Sequence, residues 1–212
     1  VSGGLHGVGA SVVNALSEVM TVEVHRDGKV YNNTYRRGVP DKKEGNTKDE
    51  PKQKSTGTIV SFLPDSKIFE TTDFSFEVLS TRLREMAFLN KGLKIKFIDK
   101  RGRSVKEETY EFAGGIVEYI KHIDENKEAL FSKPIYIQKE KDDIEVEVAL
   151  HYCKDFYDEN VLAFANNIRT KEGGTHLSGF RTALTRSINT FGKKYELIKK
   201  QEELVTGADV RE

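Results

Sequence analysis

The chain has 212 residues, with 34 Lys plus Arg balancing 34 Asp plus Glu, so its formal net charge is zero. That balance excludes a chain that binds nucleic acid through bulk charge; any such contact must come from a local basic patch. Apolar residues make up 37% and charged residues 32%, the mix of a globular chain with a modest core, and no apolar run reaches the length of a membrane span. The single Cys153 has no internal disulfide partner, which fits a reducing cytoplasm. The chain opens at Val1 inside a glycine-rich motif and closes at Glu212 without a stop signal, so both ends are expected to be cut points in a longer protein.

In chain order, residues 1–9, VSGGLHGVG, read as a glycine-rich loop. Residues 10–19 follow with apolar side chains at 12, 13, 16 and 19, the spacing of a helix. Residues 21–26 and 29–35 alternate around Asp27-Gly28, the signature of a β-hairpin. Residues 41–55 are polar and rich in breakers, and predict a solvated loop. A strand is predicted over 57–63, ended by Pro64-Asp65. A helix follows over 75–89 with Phe76, Leu79, Leu83 and Met86–Phe88 on one side, then a strand over 92–98. Gly114-Gly115 precede an amphipathic helix at 116–123, and 124–134 read as a linker between two domains. Beyond it the pattern predicts strands at 135–138, 144–151 and 161–168 and a helix at 176–191, a mixed α+β order.

The spacing Gly4-x-x-Gly7-x-Gly9 leads straight into a helix. Glycines let the backbone turn tightly and bring N–H groups close to an anion, and a helix N-terminus adds partial positive charge. The pattern suits a triphosphate. It also suits a flexible turn before a core helix, so alone it is weak. No Gly-Lys-Ser/Thr follows, so it is not a Walker A loop, and no preceding strand makes it a dinucleotide fold.

Four stretches then agree with one family. Ser2-Gly3-Gly4-Leu5-His6-Gly7-Val8-Gly9 with Ser11-Val12-Val13-Asn14-Ala15-Leu16-Ser17 resembles the ATPase subunits of bacterial type IIA DNA topoisomerases, the gyrase B family. Thr56-Gly57-Thr58, then Arg82-Leu83-Arg84-Glu85-Met86-Ala87-Phe88-Leu89-Asn90, resemble later motifs of that family in the same order. Asn166-Asn167-Ile168 with Glu172-Gly173-Gly174-Thr175-His176 and Gly179-Phe180-Arg181 complete the series. The resemblance implies an α/β (α+β) fragment: a truncated Bergerat (GHKL) ATPase sandwich over 1–123, a linker at 124–134, and part of a ribosomal-S5-like transducer domain over 135–212.

It also implies roles. Backbone N–H groups of Gly4, Leu5, His6, Gly7, Val8 and Gly9 would hold the phosphates of ATP. Thr58 would bond toward adenine through water, Val60 would line the base pocket, and Arg26 would sit on its rim. Arg181 and Arg186, with Lys193, Lys194, Lys199 and Lys200, would face passing DNA. The implied activity is ATP-dependent negative supercoiling by double-strand passage, with ATP and Mg2+ as cofactors. The implied partners are the gyrase A subunit in an A2B2 heterotetramer, double-stranded DNA, and a second copy of the same subunit when ATP binds. The equivalent topoisomerase IV subunit, which decatenates, shares nearly all these motifs. A GHKL clamp or chaperone of the Hsp90 kind, and an S5-type RNA-binding module, each account for only one half of the chain.

Plainer readings stand beside these. His6 is expected to act through its backbone and His176 to cap or pack. His25, His122 and His151 show no metal-ligand companions and Cys153 supplies none, so no zinc site is expected. Asp142-Asp143 with Glu145 and Glu147 resemble a metal cluster, but strand alternation puts the two glutamates on a solvated face. Arg181 and Arg186 have the alternative of solvating a helix or pairing with acids such as Glu202 or Glu203.

The family's general-base glutamate, magnesium-binding asparagine and adenine-pairing aspartate are implied to lie before Val1, and its phosphate-reaching lysine beyond Glu212. No catalytic residue or metal ligand is therefore assigned within 1–212. Without a base no water is activated, so this stretch alone is expected to show no ATP turnover. A steady-state phosphate-release assay in which activity co-purifies with the 212-residue chain would contradict that.

Overall fold

The computed structural model describes residues 7–41, 46–49, 56–154 and 159–211. It opens on helix α1 (Gly9–Ala15), shorter than the expected 10–19. The difference has a clear cause. Val19, Thr21, Val22 and Val24 are β-branched, and strand pairing on both sides claims them, overriding the helical spacing that ends at Leu16. The run becomes β1 (Ser17–Arg26). It pairs antiparallel with β2 (Lys29–Arg36) through the Asp27-Gly28 turn, whose φ values of 54° and 68° are both left-handed, as a two-residue hairpin turn requires.

Strands β3 (Val39–Pro40) and β4 (Asn46–Asp49) both pair with β2, and β5 (Gly57–Pro64) pairs antiparallel with the other side of β1. The sheet order is β3-β2-β1-β5. The expected 41–55 loop thus contains a strand at Asn46–Asp49; residues 42–45 and 50–55 lie outside the described residues.

One corner gathers the ends of these elements. β1 carries a register shift against β5 between Ser17 and Val19, and on its other side the Glu18 carbonyl accepts from the amide of Arg37 (3.3 Å). Arg37 and Gly38 make the β2–β3 turn at φ 48° and 82°, and a Cβ on Gly38 would meet the Cα of Ala15 at 3.4 Å. Ser17 donates to the Val13 carbonyl at 2.6 Å, and the amide of Asp65 donates to Leu16 at 3.0 Å. At the centre, Arg37 Nε donates to Asp65 Oδ2 at 2.6 Å and the Lys67 amide to Oδ1 at 3.0 Å, while Asp65 is only 1% exposed.

The remaining elements are α2 (Phe76–Leu89), β6 (Ile95–Asp99), β7 (Lys106–Tyr110), α3 (Ile116–Ile123), β8 (Ile135–Lys141), β9 (Ile144–Leu150), β10 (Phe164–Ala165), β11 (Ile168–Arg169), α4 (Thr175–Lys194) and α5 (Gly207–Arg211). Their strands form three separate two-stranded hairpins. Lys106–Tyr110 carries no strand signal of its own, because Lys-Glu-Glu-Thr-Tyr shows no apolar alternation. The expected 161–168 strand is a tight hairpin around Asn166 and Asn167, at φ 48° and 65°. Asn tolerates this left-handed region better than most residues.

Phe88 on α2, 1% exposed, stacks on Phe112 (3.6 Å between centroids) and Tyr119 (4.7 Å). Burying such a ring contributes about 1.5–3 kcal/mol. On the same helix Met86 is exposed rather than buried, and Glu85 takes an inner position instead, bonded to Arg82 at 2.7 Å and to the Tyr119 hydroxyl at 3.3 Å. Burial, with Glu85 beside it, pushes the Tyr119 phenol up to about 12. Helix α4 closes with Glu196 at φ 58°, while the amides of Leu197 and Ile198 donate to the Gly192 carbonyl at 2.8 and 3.1 Å, a left-handed C-terminal cap.

Residue packing divides the chain into compact units over Ser2–Ser75 and Phe76–Glu212. The 124–134 segment runs inside the second unit.

The corner yields a pH prediction. The Arg37 guanidinium and the Lys67 amide hold the Asp65 carboxyl below its ordinary value of 3.8. A group whose pKa is depressed in the folded state contributes stability above its unfolded pKa and loses it as pH falls through the folded one. Asp65→Asn should therefore lower the thermal midpoint near neutral pH, and the gap from wild type should close as pH falls below about 4. Melting curves with a gap that stays constant down to about pH 2 would show that the carboxylate does not anchor the corner.

Candidate functional site

The expected phosphate loop is described from Gly7 onward; Gly4, Leu5 and His6 lie outside the described residues. Gly7 has φ +65°, and Gly7, Val8 and Gly9 are all exposed. Among the described residues, a Cβ on Gly7 or Gly9 would meet nothing within 4 Å. Val8 is the N-cap of α1, and no side chain among the described residues caps the helix. The first-turn amides are thus left for a ligand or solvent to satisfy.

Thr58 and Val60 are exposed on β5, two residues apart and so on one face of the sheet. They lie opposite Val24 and Val22 of β1. Arg26 ends β1 at the same edge, exposed, and contacts Asp27 at 3.4 Å. Register therefore groups Thr58, Val60 and Arg26 toward the hairpin end of the sheet. Helix α1 joins β1 at the other end, through Leu16 and the bonds of the Arg37–Asp65 corner.

The two candidate arginines of α4 have different surroundings. Five residues apart, they point in different directions around the helix. Arg181 donates from Nε to Glu159 at 2.8 Å, and Arg211 reaches the other oxygen of the same carboxylate at 3.2 Å. Arg181 thus pairs with an acid, as one reading of the sequence expects, but Glu202 and Glu203 are not the partners. Glu203 instead accepts from the Lys199 and Lys200 amides at 2.7 and 3.2 Å. Arg186 makes no ion pair with a described residue and borders an open groove of about 580 Å³ along Ser178, Gly179, Thr182 and Ser187. Lys193 and Lys194 lie in the last turn of α4, where the helix dipole favours cations.

The histidines are redistributed by the fold. His176 contacts the Thr170 hydroxyl at 3.2 Å, and His122 stacks on Phe88 at 5.6 Å. His25 contacts Glu23 at 2.6 Å. The expectation that His151 and Cys153 lack companions does not hold: Asp124 lies beside both, and the three donor atoms fall within 4.8 Å of one another. No local pattern signals this grouping, because Asp124 and His151 are 27 positions apart. Burial, then the charge of Asp124, pushes the Cys153 thiol up. Asp142 and Asp143 form a hairpin turn at φ 52° and 61°. Glu145 accepts from Gln138 at 2.6 Å and Glu147 from Lys91 at 2.8 Å, so these four acids form no ligand cluster.

These features define an α/β domain of the GHKL ATPase type. Over 97% of the chain and 55% of its counterpart, the fold matches the 43K ATPase domain of Thermus thermophilus gyrase B, solved with an aminocoumarin, at TM-score 0.79 and 38% identity. A topoisomerase IV ATP-binding domain from Francisella tularensis matches at TM-score 0.74 and 27% identity, over 98% of this chain and 55% of that one. The family model for DNA gyrase B matches residues 115–212. The DNA gyrase B protein of Streptococcus pneumoniae serotype 4 is 53% identical over all of this chain and 32% of its own length. The chain belongs to the DNA gyrase B family, and it spans about a third of the length of the curated relatives it matches.

The loop geometry gives a graded mutational expectation. Gly7→Val forces a β-branched residue into left-handed backbone, at about 1–2 kcal/mol or more, and fills the open space. Gly9→Val fills space without that backbone conflict. Within a full-length protein, both should abolish binding of a non-hydrolysable ATP analogue measured by calorimetry, with Gly7→Val also lowering the thermal midpoint. Near-normal binding by either variant would remove the loop from the nucleotide site.

Proposed function

We propose that this chain is the part of a DNA gyrase B protein that grips the triphosphate of ATP and passes the nucleotide state onward toward DNA. The carrying observation is the open, left-handed Gly7 leading through Val8 into an uncapped helix, in a chain whose likeness to gyrase B runs along its whole length. On this reading the backbone of residues 4–9 holds phosphate, Thr58 and Val60 contact the adenine side, and Arg26 sits at the rim. Residues 1–123 then belong to the ATPase domain and 135–212 to the transducer, with 124–134 as the joint. The whole protein works with the gyrase A subunit in an A2B2 assembly, in the cytoplasm, closing as a dimer on ATP. Its reaction is ATP-driven negative supercoiling by passing one duplex through another. Mg2+ accompanies the nucleotide and no described residue here is assigned to it.

The phosphate grip needs no side-chain chemistry. A γ-phosphate brings negative charge to a helix N-terminus whose amides are uncommitted, and the left-handed glycine lets successive N–H groups converge. What binding changes further along the chain is proposed to be the presentation of α4, whose Arg186 side is the basic surface for DNA phosphate. Such contacts position DNA without reading its sequence.

A topoisomerase IV reading is the second choice, since a topoisomerase IV domain shares the fold. The greater identity to gyrase B favours the first. Reconstitution of the full-length protein with its partner separates them: negative supercoiling supports gyrase, and decatenation without supercoiling supports the alternative.

The ion pairing of α4 sharpens the DNA prediction. Arg181 is already held by Glu159, so Arg186 should carry more of the DNA contact. Arg186→Ala should lower supercoiling and DNA-stimulated ATPase, most clearly at low salt and by a factor that narrows as salt rises, because one phosphate contact fewer makes the salt dependence shallower, while DNA-independent ATPase persists. Arg181→Ala should do less. Supercoiling by Arg186→Ala that equals wild type across the salt range would leave the arginine as a solvated helix surface.

A further inference from the structure

A mixed set of donors gathers where the helix α3 segment meets the chain leaving β9. Antiparallel pairing of 128–130 with 152–154, through Leu130 N to Tyr152 O at 2.8 Å and Lys154 N to Glu128 O at 2.7 Å, lays these stretches side by side. His151 and Cys153 are two residues apart on the extended stretch, so their side chains share a face. Asp124, the C-cap of α3, comes to that face, with its Oδ2 at 3.0 Å from His151 Nδ1. The Asp124 and His151 side chains are 9% and 6% exposed.

The supporting bonds fix which atoms point inward. His151 Nε2 lies 2.8 Å from the carbonyl of Phe131, which can only accept, so Nε2 carries a proton. In the neutral ring Nδ1 then presents a lone pair to the carboxylate. Asp124 Oδ1 is held by Lys127 Nζ at 3.1 Å, which leaves Oδ2 directed at His151. Metal-binding histidines and carboxylates are held from outside in this manner, with the ring's second nitrogen donating to a carbonyl.

We propose that Asp124 Oδ2, His151 Nδ1 and Cys153 Sγ form a binding site for zinc or a similar borderline-soft divalent ion. An imidazole nitrogen and a sulfur select against Mg2+ and Ca2+, which prefer all-oxygen shells. Donor atoms within 4.8 Å of one another need only modest closure to reach coordination distances of about 2.0–2.3 Å around a single ion. The thiol proton leaves to solvent as sulfur coordinates, and a water completes four ligands. The bound ion ties the 124–131 turn to the exit of β9, so it stiffens the joint between the segments before and after it. The competing occupant of the gap is a proton: a doubly protonated His151 would pair with Asp124, and Cys153 would be a bystander.

The test uses the full-length protein with Mg2+ in excess, so that oxygen-only sites are filled. Co2+ titration should show a saturable thiolate-to-cobalt charge-transfer band. Cys153→Ser should abolish this band, and His151→Gln should weaken it. Zinc affinity, measured against a chromophoric chelator, should fall in both variants by more than the roughly 10–100-fold typical of an outer-shell change. Zinc should raise the thermal midpoint of wild type and of neither variant. Circular dichroism checks that each variant folds; should Cys153→Ser fail, His151→Gln and Asp124→Asn carry the comparison. Absence of a saturable cobalt band in wild type overturns the proposal. So does a band that survives all substitutions, or one lost with Cys153 but indifferent to His151, which would mark a lone thiol.

Discussion

A buried carboxylate, Asp65, sets where four chain segments meet, and the candidate nucleotide elements depend on that meeting. Asp65 is 1% exposed yet bonded on both oxygens, by Arg37 and by the Lys67 amide. A carboxylate can stay charged there because it is fully satisfied. Its own amide holds Leu16, and Arg37 belongs to the β2–β3 turn that packs on Ala15. The C-terminal end of α1 is thereby fixed to the start of β1, while its N-terminal end, with Gly7–Gly9, stays open. One short helix thus has a packed end and an exposed end; on the proposed reading, packing supplies position and the first-turn amides would supply affinity.

The second unit is organised differently. Its strands are independent hairpins, and left-handed residues at Asp142, Asp143, Asn166 and Asn167 make two of the turns. The hairpins are joined by side chains rather than by a continuous sheet. Lys91 reaches Glu147 at 2.8 Å, and Asn167 reaches Asn90 at 2.9 Å. The Asn-Asn pair that marks the family resemblance is thus also the turn that conformation demands, with Asn167 acting as a strut to the end of α2. The deepest packing, Phe88 against Phe112 and Tyr119, ties α2 to α3.

Electrostatics distinguishes the two arginines of α4 by their ion pairing. Glu159 gathers Arg181 and Arg211, so one carboxylate is shared by two guanidinium groups and offsets half of their positive charge. Arg186 borders the groove and makes no ion pair with a described residue. Two arginines five positions apart on one helix therefore have different functional prospects, and a third residue distant in sequence makes the difference.

The sequence by itself determined the elements whose signal is local. The Asp27-Gly28 hairpin, strand 57–63, helices 75–89 and 116–123, and the glycine loop entering a helix all follow from periodicity, turn chemistry and φ preference over a few residues. The proposed phosphate-binding role of the loop was legible for the same reason, since it asks only for backbone freedom and a helix start. Tertiary structure decided whatever depended on distant partners. Ser17 and Val19 became strand because β5 pairs with both and β2 with Val19, and Lys106–Tyr110 became strand because β6 was there to receive it. Glu159 chose between Arg181 and Arg186, and Asp124 joined His151 and Cys153. The last two outcomes rest on side-chain contacts made across 22 and 27 positions, and pattern within a short window carries no information about which remote side chain the fold will bring near.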